Sequence, residues 1–246
     1  VIYVWFGYYY SDKIALKSVN AKPADEQNSK HRILTNIVES MALASGLPKP
    51  RVYVMSNPQI NAFATGRDPK NAVICVTEGA LDKLNKAELE GVIAHEMSHI
   101  ANFDIRFMTL TAVLVGMVAI ISEIFLRSLW FSGGGNRDRD NKAQLIFMLI
   151  GIILAILAPL VTYLVQAAIS RKREYVADAT GVKFTRTPTG LIGALKKISH
   201  DSPMKAHSVS KAVAPLFIAN PFKVNFSELT STHPPLKKRI EILERM

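Results

Sequence analysis

Two long apolar runs interrupt an otherwise soluble-looking pattern, one over residues 107–126 (FMTLTAVLVGMVAIISEIFL) and one over residues 143–169, beginning AQLIFMLIGIILAILAPLV. Neither contains Lys or Arg, and each can cross roughly 30 Å of hydrocarbon as a helix. A core helix of that length rarely stays apolar on every face, so the pattern predicts two membrane spans. Glu123 is the one formal charge, close enough to Arg127 for an interfacial pair. Pro159 and Gln166 in the second run predict a kink and a polar contact. The opening VIYVWFGYY, followed by Ser11-Asp12-Lys13, reads as the tail of a further span over residues 1–10.

Between and beyond these runs the periodicity changes. Residues 31–44 predict an amphipathic helix with Ile33, Leu34, Ile37, Val38 and Met41 on one face, ended by Gly46 and Pro48. His31 at its start reads as a surface residue. Residues 51–55 and 72–77 are strand-like and framed by Asn57-Pro58 and Gly66-Arg67-Asp68-Pro69, which predicts a small sheet. Asn85 stands before Lys86-Ala87-Glu88 as a capping-box start, and Leu89, Val92, Ile93 and Ile100 lay an apolar stripe on the helix that follows. Thr187-Pro188 opens another helix through Leu191, Leu195 and Ile198, and Ser231-Thr232-His233-Pro234-Pro235 starts a last one through Lys237, Arg239 and Leu243. The predicted organisation is a domain formed by residues 11–106 and 170–246, split by a transmembrane hairpin over 107–169 with a polar loop over 127–142.

The central helix carries His95-Glu96-Met97-Ser98-His99. Four residues turn a helix through roughly 400°, so the two imidazoles share a face and can reach one metal at about 2.0–2.1 Å. Glu96, one position round, can take a proton from a metal-bound water and hand it to the leaving amine, the general-base role of H-E-x-x-H metallopeptidases. Such a site needs a third protein ligand and an open fourth position. Two crossings return the chain to the same side, which makes Ser170-Arg171-Lys172-Arg173-Glu174-Tyr175-Val176-Ala177-Asp178 the best source. Glu174 and Asp178 are spaced i, i+4, so one can bind metal while the other accepts the remaining ring N–H of a metal-bound histidine.

The charge of +10 fits a membrane surface better than nucleic acid, because the basic residues are scattered or gathered at the ends of the apolar runs. Lys13, Lys17, Lys22, Arg106, Arg171, Lys172 and Arg173 flank the predicted spans on the side of the histidines, against Arg127, Arg137, Arg139 and Lys142 in the loop, which favours a cytoplasmic site. Cys75 is the single cysteine and reads as buried and inert. No Walker-type phosphate loop is present, so hydrolysis needs no ATP bound by this chain.

These segments together, HEMSHIANFD from His95, two spans before SRKREYVADA, NAFATG from Asn61 and STHPPLKKRI near the end, resemble the HtpX-type integral-membrane zinc metallopeptidases, of the same superfamily as the CAAX prenyl proteases. The resemblance covers essentially the whole length. It implies an α+β, mostly helical, gluzincin-like domain with an inserted transmembrane hairpin. It also implies one Zn2+ held by His95, His99 and Glu174, with Glu96 as catalytic base. Asp178 would then stand behind a ligand. His233 would stabilise the developing oxyanion, with Arg239 holding it or sharing that work. Asn61-Ala62-Phe63-Ala64 reads equally as a loop or an edge strand from its residues, and the resemblance favours an edge that binds substrate by strand addition. The implied protein sits in a bacterial or archaeal plasma membrane, in contact with the lipid bilayer, and cleaves misfolded or exposed membrane-protein segments. A CAAX-type prenyl endopeptidase and a non-catalytic zinc-stabilised scaffold are the competing readings.

Overall fold

The structure, a computed structural model, describes residues 9–107, 118, 121, 122, 124, 125, 127, 141–201, 216–219 and 233–246. A four-stranded mixed sheet and a set of helices around it account for most of them. In chain order the elements are α1 (Ser11–Ser18), β1 (Lys22–Pro23), α2 (Ser29–Ser45), β2 (Arg51–Met55), β3 (Ala62–Thr65), β4 (Val73–Thr77), α3 (Glu78–Lys83), α4 (Lys86–Ala101), α5 (Asn141–Thr185), α6 (Thr189–His200) and α7 (Leu236–Leu243). The strand order is β1-β2-β4-β3. β2 and β4 run parallel with Val52 opposite Ile74, whereas β1 and β3 pair antiparallel at the two edges.

The strands expected at 51–55 and 72–77 are therefore present, and β3 answers the open question at NAFATG in favour of a strand. Its return to β4 is tight. Gly66 sits at φ 135°, and a Cβ there would lie 2.6 Å from the Asn71 carbonyl oxygen, so glycine is required. β1 is only two residues long, too short to leave a periodic signal in the sequence. The helix expected at 31–44 is α2, capped by the Asn28 side chain and ended by Gly46 in the left-handed region at φ 69°. His200 is the last residue of α6.

α4 occupies the centre, packed by α2, α5, α6 and β3. Its crossing with α6 is backbone against backbone: a Cβ on Gly91 would fall 2.4 Å from the Leu191 nitrogen, and one on Gly190 2.2 Å from the Ala87 oxygen. Leu34, Ile74, Ile93, Met97, Leu191 and Leu195 fill the main core around it. A second cluster on the other side of the sheet holds Leu16, Met55, Phe63, Cys75 and Phe217.

Among the described residues no helix is long and apolar enough to cross a membrane. The expected tail at 1–10 and the first apolar run lie largely outside the described residues, as does the loop at 128–140. The second run forms the front of α5, a 45-residue helix that continues through Pro159 into the Glu174 segment. Where side chains are described, the Phe125 ring packs on Gly151, with a Cβ there only 2.4 Å from its Cζ. Ile121, Ile124, Leu149, Ile153, Ile156 and Leu157 stand exposed around that contact.

Candidate metal centre

The helix that carries the histidines is secured locally at its start. The Asn85 side chain accepts from the Glu88 N–H at 2.9 Å, and the Asn85 N–H donates back to Glu88 Oε2 at 2.8 Å, the capping box expected from the sequence. From Gly91 to Ile100 the helix is wholly buried. α5 reaches it through Gly181, whose added Cβ would stand 3.1 Å from the His95 nitrogen. That close approach sets Asp178 and Glu174, one and two turns back along α5, over the two imidazoles.

His95 Nε2 and His99 Nε2 are 3.2 Å apart. Glu174 places Oε2 3.7 Å from the first and Oε1 3.4 Å from the second. One donor atom from each of the three residues lies within 4.8 Å of the others. Four ligands at about 2.0–2.1 Å from a tetrahedral ion stand roughly 3.3–3.4 Å from one another, so this donor set matches zinc in both type and spacing. Glu174 Oε2 is also buried without a hydrogen bond among the described residues, its charge facing the Arg239 guanidinium at 3.1 Å.

Behind the donors, each imidazole has its own carboxylate. His95 Nδ1 lies 2.9 Å from Asp178 Oδ1, and His99 Nδ1 lies 3.0 Å from Asp104 Oδ2. An ionised carboxylate only accepts, so Nδ1 carries a proton in each ring and Nε2 is the nitrogen turned to the site. Asp178, expected from the i, i+4 spacing to stand behind a ligand, takes His95. Asp104 was not foreseen. It lies within the quoted HEMSHIANFD segment, but a carboxylate five residues after a histidine has no helical reason to fold back on it.

Arg239 is fully buried and engages Asp178 through Nε at 2.8 Å and Nη2 at 2.6 Å. Its Nη1 donates to the Ile218 carbonyl at 2.9 Å and stands 3.1 Å from Glu174 Oε2. Arg239 thus ties Asp178, Glu174 and the Ile218 main chain together. Burial, reinforced by the Arg239 charge, lowers the pKa of His95 and keeps that ring neutral, as a ligand must be. Burial disfavours the charged form of Glu174, but the neighbouring cationic groups and its bond to His99 hold the carboxyl well below the usual range. Burial also pulls His99 down, yet hydrogen bonds to Asp104 and Glu174 outweigh it and hold the ring up at about 10. A proton shared by His99 and Glu174 therefore stands where a cation would displace it.

Glu96 is fully buried, and neither of its carboxyl oxygens has a hydrogen-bond partner among the described residues. Burial raises it to about 7, with Glu174 adding to the rise and His99 and the Ala64 main chain opposing it. His233 is buried beside the cluster, where it hydrogen-bonds the Phe217 main chain and feels the Glu174 charge.

The residues from Asn61 to Ala64 are buried on and before β3. Asn61 is tied through Nδ2 to the Ala219 carbonyl at 3.1 Å. The Ala62 carbonyl accepts from the Ile218 N–H at 2.9 Å, and Phe63 bridges Phe217 with ring centroids 5.0 Å apart. The outer edge of β3 is thus occupied at its first two positions by residues 216–219 of the same chain, a pairing that no pattern in that stretch announces.

The family model described as peptidase family M48 matches residues 28–246. A protease HtpX homolog of Caldanaerobacter subterraneus subsp. tengcongensis is 53% identical over 250 residues, covering 100% of this chain and 82% of that protein. One from Thermococcus sibiricus is 46% identical over 244 residues, covering 98% and 82%. Among solved structures, the crystal structure of S. mikatae Ste24p aligns with a TM-score of 0.60 at 21% identity. That alignment takes in 98% of this chain and 55% of the other, and at such identity it speaks for the fold.

Proposed function

For a chain that belongs to peptidase family M48, among HtpX-type proteases, we propose a membrane-embedded zinc endopeptidase that hydrolyses misfolded or exposed segments of membrane proteins. The observation that carries this reading is the convergence of two Nε2 atoms and a carboxylate at 3.2–3.7 Å beside an unpartnered, buried Glu96. His95, His99 and Glu174 would hold the metal, which supplies Lewis-acid polarisation and a bound water of lowered pKa.

The chain's own residues supply the rest. Glu96 has an environment that leaves its proton affinity near neutrality, so it can accept a proton and release it to the departing amine within one turnover. Asp178 and Arg239 hold His95 in one orientation while Arg239 offsets the negative charge of Glu174. His233 donates towards the carbonyl oxygen of the scissile bond as charge develops there, with its ring fixed through the Phe217 main chain. The substrate lies along β3 as an added strand, a sequence-tolerant mode suited to unfolded segments. Residues Ala62 and Phe63 are engaged by the chain itself, so contact centres on Ala64, the position whose main chain neighbours Glu96.

Residues 11–106 and 170–246 form the peptidase domain, and 107–169 form the hairpin that holds it at the bilayer. The exposed isoleucines and leucines around the Phe125–Gly151 contact support this, because an apolar surface of that kind suits lipid better than water. Arg171 and Lys172 then meet the headgroups and orient the site to the cytoplasm.

The test is zinc content together with proteolysis of an unfolded substrate, in detergent, for the wild type and Glu96→Gln. The expected result is one zinc in both and cleavage by the wild type alone. Zinc bound without cleavage in either would favour a scaffold, and no zinc after reconstitution would overturn the reading.

A further inference from the structure

We propose that Asp104 and Arg173 form a positioning pair that fixes His99 in the orientation and tautomer a metal requires. The inference rests on the metal-site reading above and adds to it two residues that touch neither metal nor substrate.

The chain leaves α4 by an unusual turn. Phe103 adopts φ 58°, in the left-handed region, and donates its N–H to the Ile100 carbonyl at 3.2 Å. A non-glycine residue is disfavoured there, because its Cβ crowds the following carbonyl oxygen. The ring is 49% exposed, so burial of Phe103 itself does little to offset that cost. What the turn achieves is the reversal that brings Asp104 back under the helix end. There Asp104 is only 2% exposed, with Oδ2 3.0 Å from His99 Nδ1. Backbone strain of this kind persists where the surroundings hold it, and the partner held here is a carboxylate on a ligand imidazole.

Arg173 secures the other oxygen. Its Nη1 donates to Asp104 Oδ1, and its guanidinium lies 4.0 Å over the Phe107 ring. Arg173 directly precedes Glu174 on α5, so one run of contacts joins the second histidine, the exit of α4 and the third candidate ligand. The arrangement repeats on the other histidine, where Asp178 and Arg239 stand behind His95. Each imidazole therefore has a carboxylate on Nδ1, and each carboxylate has an arginine. The carboxylate retains the proton on Nδ1, presents the Nε2 lone pair and increases its basicity.

The experiment measures zinc affinity by chelator competition and the visible spectrum after cobalt substitution, using the full chain in detergent. The variants are Asp104→Asn, Asp104→Ala and Arg173→Gln, with Lys196→Ala on the exposed surface as control. Asp104→Ala should weaken zinc binding roughly 10–100-fold and change the cobalt bands. Asp104→Asn should recover part of the loss, since its amide oxygen can still accept from Nδ1, and Arg173→Gln should weaken binding by less than Asp104→Ala. If Asp104→Ala fails to fold, the near-isosteric Asn variant and Arg173→Gln carry the comparison. Wild-type zinc affinity and an unchanged cobalt spectrum in the Asp104 variants would overturn the proposal, whatever their melting temperature. A wild type that takes up neither metal would instead remove the metal-site reading, and this inference with it.

Discussion

Replacing Arg239 by methionine should destabilise the fold by about 3–5 kcal/mol, the usual cost of breaking a buried ion pair on one side. The side chain is wholly buried and donates to Asp178 at 2.8 and 2.6 Å and to the Ile218 carbonyl at 2.9 Å, with the His95 ring 3.4 Å from Nη2. Methionine fills much of the same volume, so the lost packing is minor. What remains is two carboxylates, Asp178 and Glu174, without the cation that stabilises their charge. A unit charge at about 4 Å is worth roughly 4 kcal/mol at an effective dielectric near 20, and partial protonation of Asp178 caps the penalty near that size. At about 2–4 °C per kcal/mol for a chain of this length, the melting temperature should fall by roughly 6–20 °C. The assay is unfolding of the detergent-solubilised chain followed by circular dichroism, with chelator present so that a metal does not offset the Glu174 charge. Arg239→Lys should not rescue it, because an ammonium cannot span both Asp178 oxygens and the Ile218 carbonyl. The double variant with Asp178→Asn should lose clearly less than the sum of the two single losses. A loss below about 1 kcal/mol for Arg239→Met, or simple additivity in the double variant, would refute the reasoning.

Two further outcomes follow from the core. Gly91→Ala places a Cβ 2.4 Å from the Leu191 nitrogen, so α6 must withdraw, and a loss of about 1–3 kcal/mol is expected despite alanine's better helix propensity; an unchanged or higher melting temperature would contradict that crossing. Cys75 is buried with its thiol pushed up by burial, so a disulfide exchange reagent at pH 8 should leave it unlabelled in the folded protein and label it fully after denaturation. The sign of its linkage follows: the folded thiol pKa is raised, so its contribution to stability is full below about 8.5 and declines as the pH rises beyond that value. Rapid labelling of the native protein would show the thiol is not where the fold puts it.

Much of the site was legible because its first half is local. The i, i+4 spacing of His95 and His99 needs only a helix, and the capping box at Asn85 and Glu88 with the stripe through Leu89, Val92 and Ile93 announces one. The i, i+4 pair Glu174 and Asp178 is readable in the same way, although choosing the ligand between them drew on family resemblance. β2, β4, α2 and α6 follow from runs of apolar residues bounded by turn residues. The sheet's order, the two-residue β1 and the pairing of residues 216–219 with β3 leave no such trace, since each depends on a partner far along the chain. Of the predicted hairpin, the second run is the front of α5, while most of the first run and the loop lie outside the described residues, apart from side chains such as Phe125 on Gly151.

By itself the sequence determined which side chains could bind and activate, because helical period and chemical type are properties of a few neighbouring residues. The tertiary structure alone decided who stands behind them. Asp104 returns to His99 only through a left-handed turn at Phe103, Arg239 reaches Asp178 across 61 residues, and Gly181 lets α5 settle against His95. Those pairings are set by which elements come into contact, and a buried charge accepts whichever partner the global packing delivers in place of water.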